Sequence, residues 1–476
     1  MTKTLPYDSR SPESILAYAR KLLGKSLHDL YPTAEIPNGG KGGLGQCVEE
    51  IHFGYHINSV SKPDFADAGV ELKCTPLKAV RDGSLVSKER LVLNIINYCE
   101  ECDATFETSS FTRKNALLLL MFYLYLKGVG NLDLVFKLIR LWKIPEEDLK
   151  IFMDDWKVIH EKIARGLAHE ISEADTFYLA ACVKGARGGA NKRKQKNSDV
   201  LADQRAYSIK SVYLNHVILD SLAHPEMVDG LKVSASVRKQ LQARMAKLGN
   251  IVKSSRDYKA GESFEQLVLR RFEPFIGQSV AEIENRLGVC VSTSPKAVSY
   301  SLCRAILGVK ERGIAEFEKA GVLLKTVRLE SNGSLKEAMS FQTVKYKEIV
   351  NEEAWEDSDW YATVGVRRFF FVVFRKMKDG AAKDAVLEKV FFWAMPRRDV
   401  DALKTLWSDT REKVMAGDYE HFMASTAHPI GHIRPKAKNA ADMADTPQGG
   451  MAKKYCWWLN RDYVLNVVRG SLARQN

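Results

Sequence analysis

The feature that most constrains this chain is an internal repeat, because its two halves align at a nearly constant offset of about 250 residues. The matching segments keep their order along the chain, and they are 88–98 with 336–346, 142–145 with 393–396, and 161–166 with 412–417. Such a repeat predicts two like-folded domains in tandem. We place them at residues 1–225 and 261–476, and we expect 226–260 to be a linker that combines a breaker-rich stretch with a basic, helix-prone one.

The segment from Lys62 to Lys73 carries the strongest chemical signal of the first half. Val70 to Lys73 predicts a short strand on which Glu71 and Lys73 share one face, because side chains alternate along a strand. Asp64 precedes an Ala-Gly turn and is expected to fold back toward Glu71. Two carboxylates hold a hard divalent cation, and a neighbouring lysine orients water or offsets charge on a phosphate. The simpler alternative is a solvated strand edge.

Two flanking segments add polar groups to this motif. Gly42 to Gln46 predicts a glycine-rich turn that leads into a helix, and this helix offers a third carboxylate from Glu49 or Glu50. Lys114 precedes the apolar run 116–124, whose composition predicts a buried strand. We expect Lys114 to face the same site, and the alternative is an ordinary lysine at a strand edge.

Three longer strings, at 61–73, 87–98 and 106–111, resemble the MutH mismatch-repair endonucleases and the GATC-cutting, Sau-type type II restriction endonucleases. The resemblance runs along nearly the whole chain. It implies an α/β fold of two tandem restriction-endonuclease-like domains of the PD-(D/E)xK, MutH-like type, each with a mixed central sheet flanked by helices. It also implies a type II restriction endonuclease that hydrolyses double-stranded DNA at GATC sites with Mg2+ as its cofactor.

The resemblance also implies roles for individual residues. Asp64, Glu71 and Lys73 match the catalytic acidic pair and lysine of the family. Glu50 matches an additional carboxylate, with Glu49 as the alternative register, and Lys114 matches a further lysine. The expected metal ligands are therefore Asp64, Glu71 and Glu50.

The second half carries an incomplete copy of the motif. In the aligned segment Leu323 replaces Glu71, and Arg304 replaces Glu50. A leucine cannot ligate a cation and an arginine repels one, and Glu316, the counterpart of the first acidic residue, makes a poor metal site alone. We therefore expect chemistry only in the first domain. The resemblance agrees, because the Sau-type enzymes are described as having an inactive second half that binds DNA.

The charge balance favours a polyanionic partner. The chain has 71 Lys and Arg against 59 Asp and Glu, a formal net charge of +12 at pH 7, and nucleic acid is a common reason for such an excess. No apolar run approaches the roughly 20 residues that span a bilayer, and the N-terminus has no apolar signal region, so we expect a cytoplasmic protein without a membrane partner. The eight scattered cysteines predict reduced thiols, although Cys99 and Cys102 have the spacing of half a zinc site. The histidines at 52–56 and 428–432 are expected to be structural or close to DNA.

Each half contains a basic loop followed by an aromatic-rich strand. Small residues let such a loop approach a groove, and its cations contact phosphates or guanine. Arg434-Pro435-Lys436 resembles the base-reading loop of MutH, and Lys184 takes the corresponding place in the first half without the proline. The predicted DNA-binding residues are Lys184, Arg187, Arg205, Lys210, Arg434, Lys436 and Lys438.

One complete site per chain sets conditions on cleavage. Cutting both strands needs either two chains, as in a DNA-dependent dimer, or two sequential events, while the second domain holds another GATC copy. Ser208 and Trp458 align near a MutH tyrosine linked to sensing adenine methylation, so methylation sensitivity is not expected to carry over. Two other functions fit less well. A MutH-like repair nickase is disfavoured because MutH has one domain, whereas this chain has two repeats. A non-catalytic DNA-binding protein is disfavoured because the acidic pair and the lysine of the first motif are all present.

Overall fold

The computed structural model describes residues 5–36, 43–55, 62–80, 84–185, 191–224, 235–290, 295–437, 439 and 441–470. Within them the α-helices are α1 (Pro12–Ala19), α2 (Leu27–Leu30), α3 (Leu44–Cys47), α4 (Tyr98–Glu101), α5 (Ser110–Asn115), α6 (Glu146–Ala164), α7 (Ser211–Ala223), α8 (Ala235–Met245), α9 (Phe264–Phe272), α10 (Val280–Leu287), α11 (Pro295–Ile306), α12 (Ala315–Ala320), α13 (Tyr346–Ile349), α14 (Asp359–Val364), α15 (Arg397–Ala416) and α16 (Arg461–Gly470).

The strands of the same ranges are mostly short. They are β1 (Val70–Ala79), β2 (Leu85–Ser87), β3 (Leu91–Ile95), β4 (Leu117–Leu124), β5 (Phe136–Trp142), β6 (Leu179–Val183), β7 (Lys192–Arg193), β8 (Ala202–Asp203), β9 (Arg205–Ile209), β10 (Leu248–Gly249), β11 (Gly313–Ile314), β12 (Leu323–Leu329), β13 (Met339–Thr343), β14 (Phe369–Arg375), β15 (Val386–Trp393), β16 (Gly431–Pro435), β17 (Met443–Asp445), β18 (Met451–Lys453) and β19 (Tyr455–Leu459). The α/β class expected from the sequence is confirmed.

The chain divides into two compact units. The first contains the described residues of Met1–Ile171, Thr176–Gly249 and Glu311–Gly321, and the second contains those of Ser172–Asp175, Asn250–Lys310 and Val322–Asn476. The predicted linker includes residues 226–234, which lie outside the described part, and α8, which belongs to the first unit. The domain boundaries given above remain a prediction.

The first unit is built on two main sheets. Its four-stranded sheet has the order β2-β1-β4-β5, in which β1 runs parallel to β4 while the outer pairings are antiparallel. The three-stranded sheet has the order β3-β9-β6. β4 is apolar along nearly its whole length because it has partners on both sides and five consecutive residues, Leu118 to Phe122, are buried.

The second unit repeats this arrangement. Its sheets have the orders β12-β14-β15 and β13-β19-β16, with β12 parallel to β14. The register is also kept, because Glu71 lies beside Leu118 in the first unit and Leu323 lies beside Phe369 in the second. The repeat that is visible in the sequence is therefore matched by strand order and by strand register.

Equivalent polar contacts also recur in the two cores. The long helix α6 places the indole of Trp156 so that Nε1 donates to Glu101 at 3.1 Å. The corresponding helix α15 places Trp407 so that Nε1 donates to Glu352 at 2.6 Å. These bonds satisfy carboxylates and indoles that the helices bury, so the repeat includes internal polar pairs as well as apolar packing.

The segment from Glu311 to Gly321 completes the first unit. β11 pairs in parallel with β10, and the Gly313 amide donates to the Lys247 carbonyl at 2.9 Å. On α12, Lys319 Nζ lies 2.9 and 2.8 Å from the two carboxylate oxygens of Asp148 on α6. Asp148 and Lys319 are 2% and 7% exposed, so this is a buried ion pair that joins a segment of the second sequence repeat to the first unit.

Two features bear on the expectations from composition. Among the helices in the described ranges, none is long and apolar enough to cross a membrane. All eight cysteines are free, with Cys99 exposed and Cys102 buried.

Candidate active site

A tight turn places Asp64 at the start of β1. Phe65 and Val70 exchange backbone hydrogen bonds of 2.9 and 3.2 Å, and Gly69 takes a left-handed φ of 66° that an L side chain adopts only with strain. The turn folds Asp64 back, so that its Oδ2 accepts a hydrogen bond of 2.9 Å from the Leu72 amide. The Asp64 amide in turn donates to Glu71 Oε2 at 3.2 Å. The structure therefore brings the two acidic residues together as the spacing predicts.

Glu71 is the most buried charge of the site, with 1% of the residue exposed. Its Oε1 lies 2.6 Å from Lys73 Nζ and 3.5 Å from Lys114 Nζ. Lys73 follows on the same face of β1, and Lys114 comes from α5, whose first turn is capped by the Ser109 hydroxyl. Burial raises the pKa of Glu71, while the two lysines oppose that shift and Asp64 adds to it. The lysines thereby favour the ionised form that a cation needs.

The third carboxylate comes from a π-helical turn. This turn covers Val48–Phe53, directly after α3, and ends at Gly54 with a φ of 73°. The pKa of Glu49 is raised to about 7, chiefly by burial and then by the charges of Asp64 and Glu71, while Lys73 and Lys114 oppose the shift. The charges that act on Glu49 are therefore those of the site.

Glu50 is placed differently. Its charge acts on the Cys47 thiol, whose pKa is raised first by burial and then by Glu50. Neighbouring positions on a helix point about 100° apart, so the two glutamates present different faces of the turn. The charges that act on Glu49 favour the alternative register, and we therefore propose Glu49 as the third carboxylate.

Tyr55 is a neighbour of the site that sequence reasoning missed. Its ring packs edge-on against Phe65, with 5.4 Å between the ring centroids. Its hydroxyl is buried and has no hydrogen-bond partner in the described part of the chain. The pKa of Tyr55 is raised, chiefly by burial and then by the charges of Asp64 and Glu49. No sequence signal marks a lone tyrosine after a glycine, and only the fold shows its surroundings.

The donor set fits a hard divalent cation. Among the described residues, the carboxylates of Asp64, Glu49 and Glu71 act on one another together with the ammonium groups of Lys73 and Lys114, and this excess of carboxylates favours an added cation. Within the described ranges, no group of three or more His, Cys, Asp or Glu side chains is arranged to hold a metal ion. Mg2+ is usually bound through one or two carboxylates plus water and substrate phosphate, so Asp64 and Glu71 suffice for it.

The same position in the second unit has a different chemistry. Leu323 stands at the register of Glu71, and its neighbour Lys325 donates from Nζ to the Ser340 carbonyl at 3.0 Å. The same ammonium lies 3.8 Å from the centroid of the Phe341 ring. The lysine of the motif is kept, but it contacts a carbonyl and an aromatic ring instead of a glutamate.

The predicted DNA-binding residues fall into three groups. Lys184, Arg434 and Lys436 are exposed, at the ends of β6 and β16 or just beyond them. Arg187 and Lys438 lie outside the described residues.

Arg205 and Lys210 form the third group and are buried, with 3% and 2% of each residue exposed. Arg205 donates to the Ala181 carbonyl, and Lys210 donates to the Thr176 carbonyl. Their burial contradicts the prediction that they contact DNA. Arg205 lies on β9, every residue of which is buried, and Lys210 directly follows β9 at the start of α7, where its ammonium group is buried against the Thr176 carbonyl.

The histidines that the sequence marked are structural where the chain is described. The imidazole of His52 is held between the Tyr31 hydroxyl and the Tyr18 carbonyl, at 3.0 and 3.1 Å. Burial lowers its pKa to about 4, so it is neutral at physiological pH. His428 accepts from two backbone amides, those of Ile430 and Gly431. Neither ring is free to act as a metal ligand.

One family model of known proteins matches a region in each half of the chain. The family model described as DNA mismatch repair enzyme MutH matches residues 53–155 and 309–405. The type II restriction enzyme Sau3AI of Staphylococcus aureus is 32% identical over 506 residues, which cover 95% of this chain and 97% of that protein. This chain belongs to the MutH-like type II restriction enzymes.

Single MutH proteins match only part of this restriction enzyme. Those of Shewanella woodyi and Escherichia coli are 25% and 27% identical over 38% and 37% of the chain, and over 79% and 78% of their own lengths. The second region that matches the MutH model, 309–405, includes Leu323 and Lys325. The restriction enzyme therefore carries two MutH-like regions, and only the first has the glutamate on β1.

Proposed function

We propose that this restriction enzyme is a Mg2+-dependent endonuclease that cuts double-stranded DNA at GATC sites, with cleavage in the first half and DNA binding without cleavage in the second. The observation that carries the proposal is the contrast at one register position. Glu71 is buried beside Asp64 and two lysines, whereas Leu323 stands at the same place in the second unit. The membership in the restriction enzymes supports an endonuclease, and the GATC site is supported by the resemblance of the sequence strings.

Asp64 and Glu71 would hold the cation, with Glu49 as the third carboxylate close to them. When bound, Mg2+ supplies a Lewis acid that lowers the pKa of water and offsets charge on the phosphate. Lys73 is kept beside Glu71 by the 2.6 Å contact, and this places an ammonium group where charge builds up as water adds to phosphorus. Lys114 adds a second positive charge on the same side of Glu71. Water adds to phosphorus, the bond to one bridging oxygen breaks, and that oxygen leaves with a proton.

The two halves would be tandem PD-(D/E)xK domains with different duties. The repeated sheet orders and the two matches to the MutH model support this reading. With one complete acidic set per chain, cleavage of both strands requires two chains on DNA or two successive cuts. Lys184 in the first half and Arg434 and Lys436 in the second are the exposed cations proposed to contact DNA.

Cleavage of a plasmid with two GATC sites, followed by sequencing of the ends, tests the proposal. The wild-type chain is expected to cut at GATC in Mg2+ and not in EDTA, and Asp64→Ala is expected to lower the rate at least 100-fold. Asp67→Ala is the matched control, because Asp67 is an exposed acid in the same turn. Cleavage by Asp64→Ala at the wild-type rate would refute the site. Nicks alone would support a repair-type nickase, and binding without any cut would support a non-catalytic protein.

A further inference from the structure

We propose that the second unit binds a DNA backbone phosphate without metal at the position where it lost its catalytic glutamate. The inference rests on the proposed function of the second half as a DNA-binding unit and names the site through which it binds. The site, called here the relic site, consists of Lys325, Ser340, Arg434, Lys436 and Trp458. All five residues belong to the second unit.

Ser340 joins the two lysines of the relic site. Its carbonyl accepts a hydrogen bond of 3.0 Å from Lys325 Nζ, and its hydroxyl accepts one of 2.6 Å from Lys436 Nζ. Lys325 comes from the strand of the decayed motif, and Lys436 comes from the basic loop after β16. The two ammonium groups thus converge on one residue, which places two positive charges where the oxygens of one phosphate or of two successive ones can meet them.

Trp458 provides an aromatic surface beside these charges. The Arg434 guanidinium lies 4.5 Å from the centroid of the Trp458 ring, and Lys436 Nζ lies 5.4 Å from it. The indole Nε1 of Trp458 is buried and has no hydrogen-bond partner within the described residues. In the described part of the chain, no ion pair involves the exposed side chains of Arg434 or Lys436. Unpaired cations stacked on an aromatic ring are typical of surfaces that bind nucleic acid.

The first unit lacks this arrangement at the equivalent positions. Ser340 pairs with Trp458 across the strands, whereas the corresponding pair in the first unit is Val92 with Ser208. The first unit instead has the buried Glu71, and its negative charges repel a phosphate until a cation is bound. In the relic site Leu323 stands in place of that glutamate, so a phosphate beside Lys325 meets no carboxylate at this register position.

The two units should therefore differ in their need for metal. DNA binding in the first unit is expected to strengthen when a divalent cation offsets its carboxylates. Binding in the second unit is expected to persist in EDTA and to weaken as salt rises, because phosphate contacts release counterions.

Binding of the full chain to a fluorescent GATC duplex in EDTA tests the relic site. Lys325→Met is expected to lower the affinity about tenfold and to reduce the slope of log affinity against log salt by about 1. Lys325→Arg keeps the positive charge and is expected to restore most of the affinity. Lys404→Met is the matched control, since Lys404 is an exposed lysine on α15 of the same unit.

The outcomes separate the relic site from the proposed function. Cleavage of the GATC plasmid by the same wild-type preparation in Mg2+ reports on the nuclease alone. If Lys325→Met and Lys436→Ala both bind in EDTA as tightly as Lys404→Met, the relic site is wrong even when cleavage is normal. Thermal unfolding midpoints of the variants within about 2 °C of the wild type show that lost binding does not come from unfolding. If the unfolding midpoint of Lys325→Met falls outside this window, the binding of Lys325→Arg is used instead, because this variant keeps the positive charge. Weak binding by a folded Lys325→Arg chain would refute the phosphate contact.

Discussion

At the scale of single residues, the raised pKa of Glu49 makes the stability of the chain and its expected affinity for a cation depend on pH. A pKa of about 7 in the absence of metal means that the folded chain holds a proton that the unfolded chain, with its value near 4.5, releases. Its ionised form therefore lowers stability, and stability falls as pH rises from about 4.5 through about 7. A bound cation would reverse this preference, since it favours the carboxylate over the acid.

We predict that the Mg2+ concentration needed for half-maximal cleavage rises as pH falls below about 7. One proton competes with the cation, so the requirement should increase up to tenfold per pH unit. Glu49→Gln should flatten this dependence and make the metal-free chain more stable at pH 8, as measured by cleavage rates against Mg2+ concentration and by thermal unfolding. Glu50→Gln tests the other register. If Glu50→Gln flattens the profile and Glu49→Gln does not, the assignment of Glu49 is wrong.

The Tyr55 hydroxyl leads to a second prediction at this scale. A buried hydroxyl without a partner costs about 1 to 3 kcal/mol in desolvation. Tyr55→Phe removes that group and keeps the edge-on contact with Phe65, so we expect the free energy of unfolding to stay equal or to increase by about 1 kcal/mol. Urea unfolding of the metal-free chain measures this change. A loss of more than 1 kcal/mol would mean that the hydroxyl has a partner in solution.

At the scale of elements, local patterns gave the strands of the site but not the faces that they bury. The alternation at 70–73 and the apolar run at 116–124 predicted β1 and β4, and the basic stretch after 234 predicted α8. Arg205 was placed at the surface because charged side chains are usually exposed, whereas β9 is covered on both faces. The pairing of β9 with two neighbours depends on contacts distant in sequence, which a local pattern does not contain.

The register of the third carboxylate was open for a similar reason. If the helix that begins at Leu44 were regular, its exact first residue would decide whether Glu49 or Glu50 faces the site. The π-helical turn inserts one residue into that phase and rotates the later side chains. The sequence contains no mark of this insertion, so the fold was needed to distinguish the two glutamates.

The ion pair between α6 and α12 leads to a prediction about these elements. Removing one partner of a buried pair leaves an uncompensated charge, which costs about 3 to 5 kcal/mol. We expect Lys319→Met to lower the free energy of unfolding by that amount, because Asp148 would stay buried and, among the described residues, would keep the Tyr213 hydroxyl as its side-chain donor at 2.8 Å.

Urea unfolding measures the loss, and α6 offers a control. The pair of Lys157 and Glu161 on the same helix is 66% and 58% exposed, so Lys157→Met should cost less than about 1 kcal/mol. Adding Asp148→Asn to Lys319→Met should recover part of the loss, since no unpaired charge remains. Equal, small effects of Lys319→Met and Lys157→Met would show that the buried pair does not stabilise α12 against α6.

At the scale of the whole molecule, the first unit is not continuous in sequence. It ends at Gly249 and resumes at Glu311 for the eleven residues that contain β11 and α12. A chain cut after residue 249 therefore lacks both the partner of β10 and the ammonium that pairs with Asp148.

We predict that residues 1–249 alone are less soluble and unfold at a lower temperature than the same chain joined by a glycine-serine linker to residues 311–321. The added segment restores the ion pair and the β10 partner, so the difference should be several kilocalories per mole. Thermal unfolding and the soluble fraction after expression measure it. The control is the same joined chain with Lys319→Met, and a joined chain that is no more stable than 1–249 contradicts the prediction.

The segment Glu311–Gly321 also limits which mutations of such a gene leave the first unit stable. A point mutation that replaces the glutamate with a leucine, as at Leu323, changes one side chain and keeps the strand pairing of β12 with β14. A deletion of the whole second repeat also removes the codons for α12, and the first unit then lacks the Lys319 partner of Asp148 and the strand beside β10. Such a deletion would therefore destabilise the first unit in one step, which gives a physical reason for a chain to keep a half without the glutamate of β1.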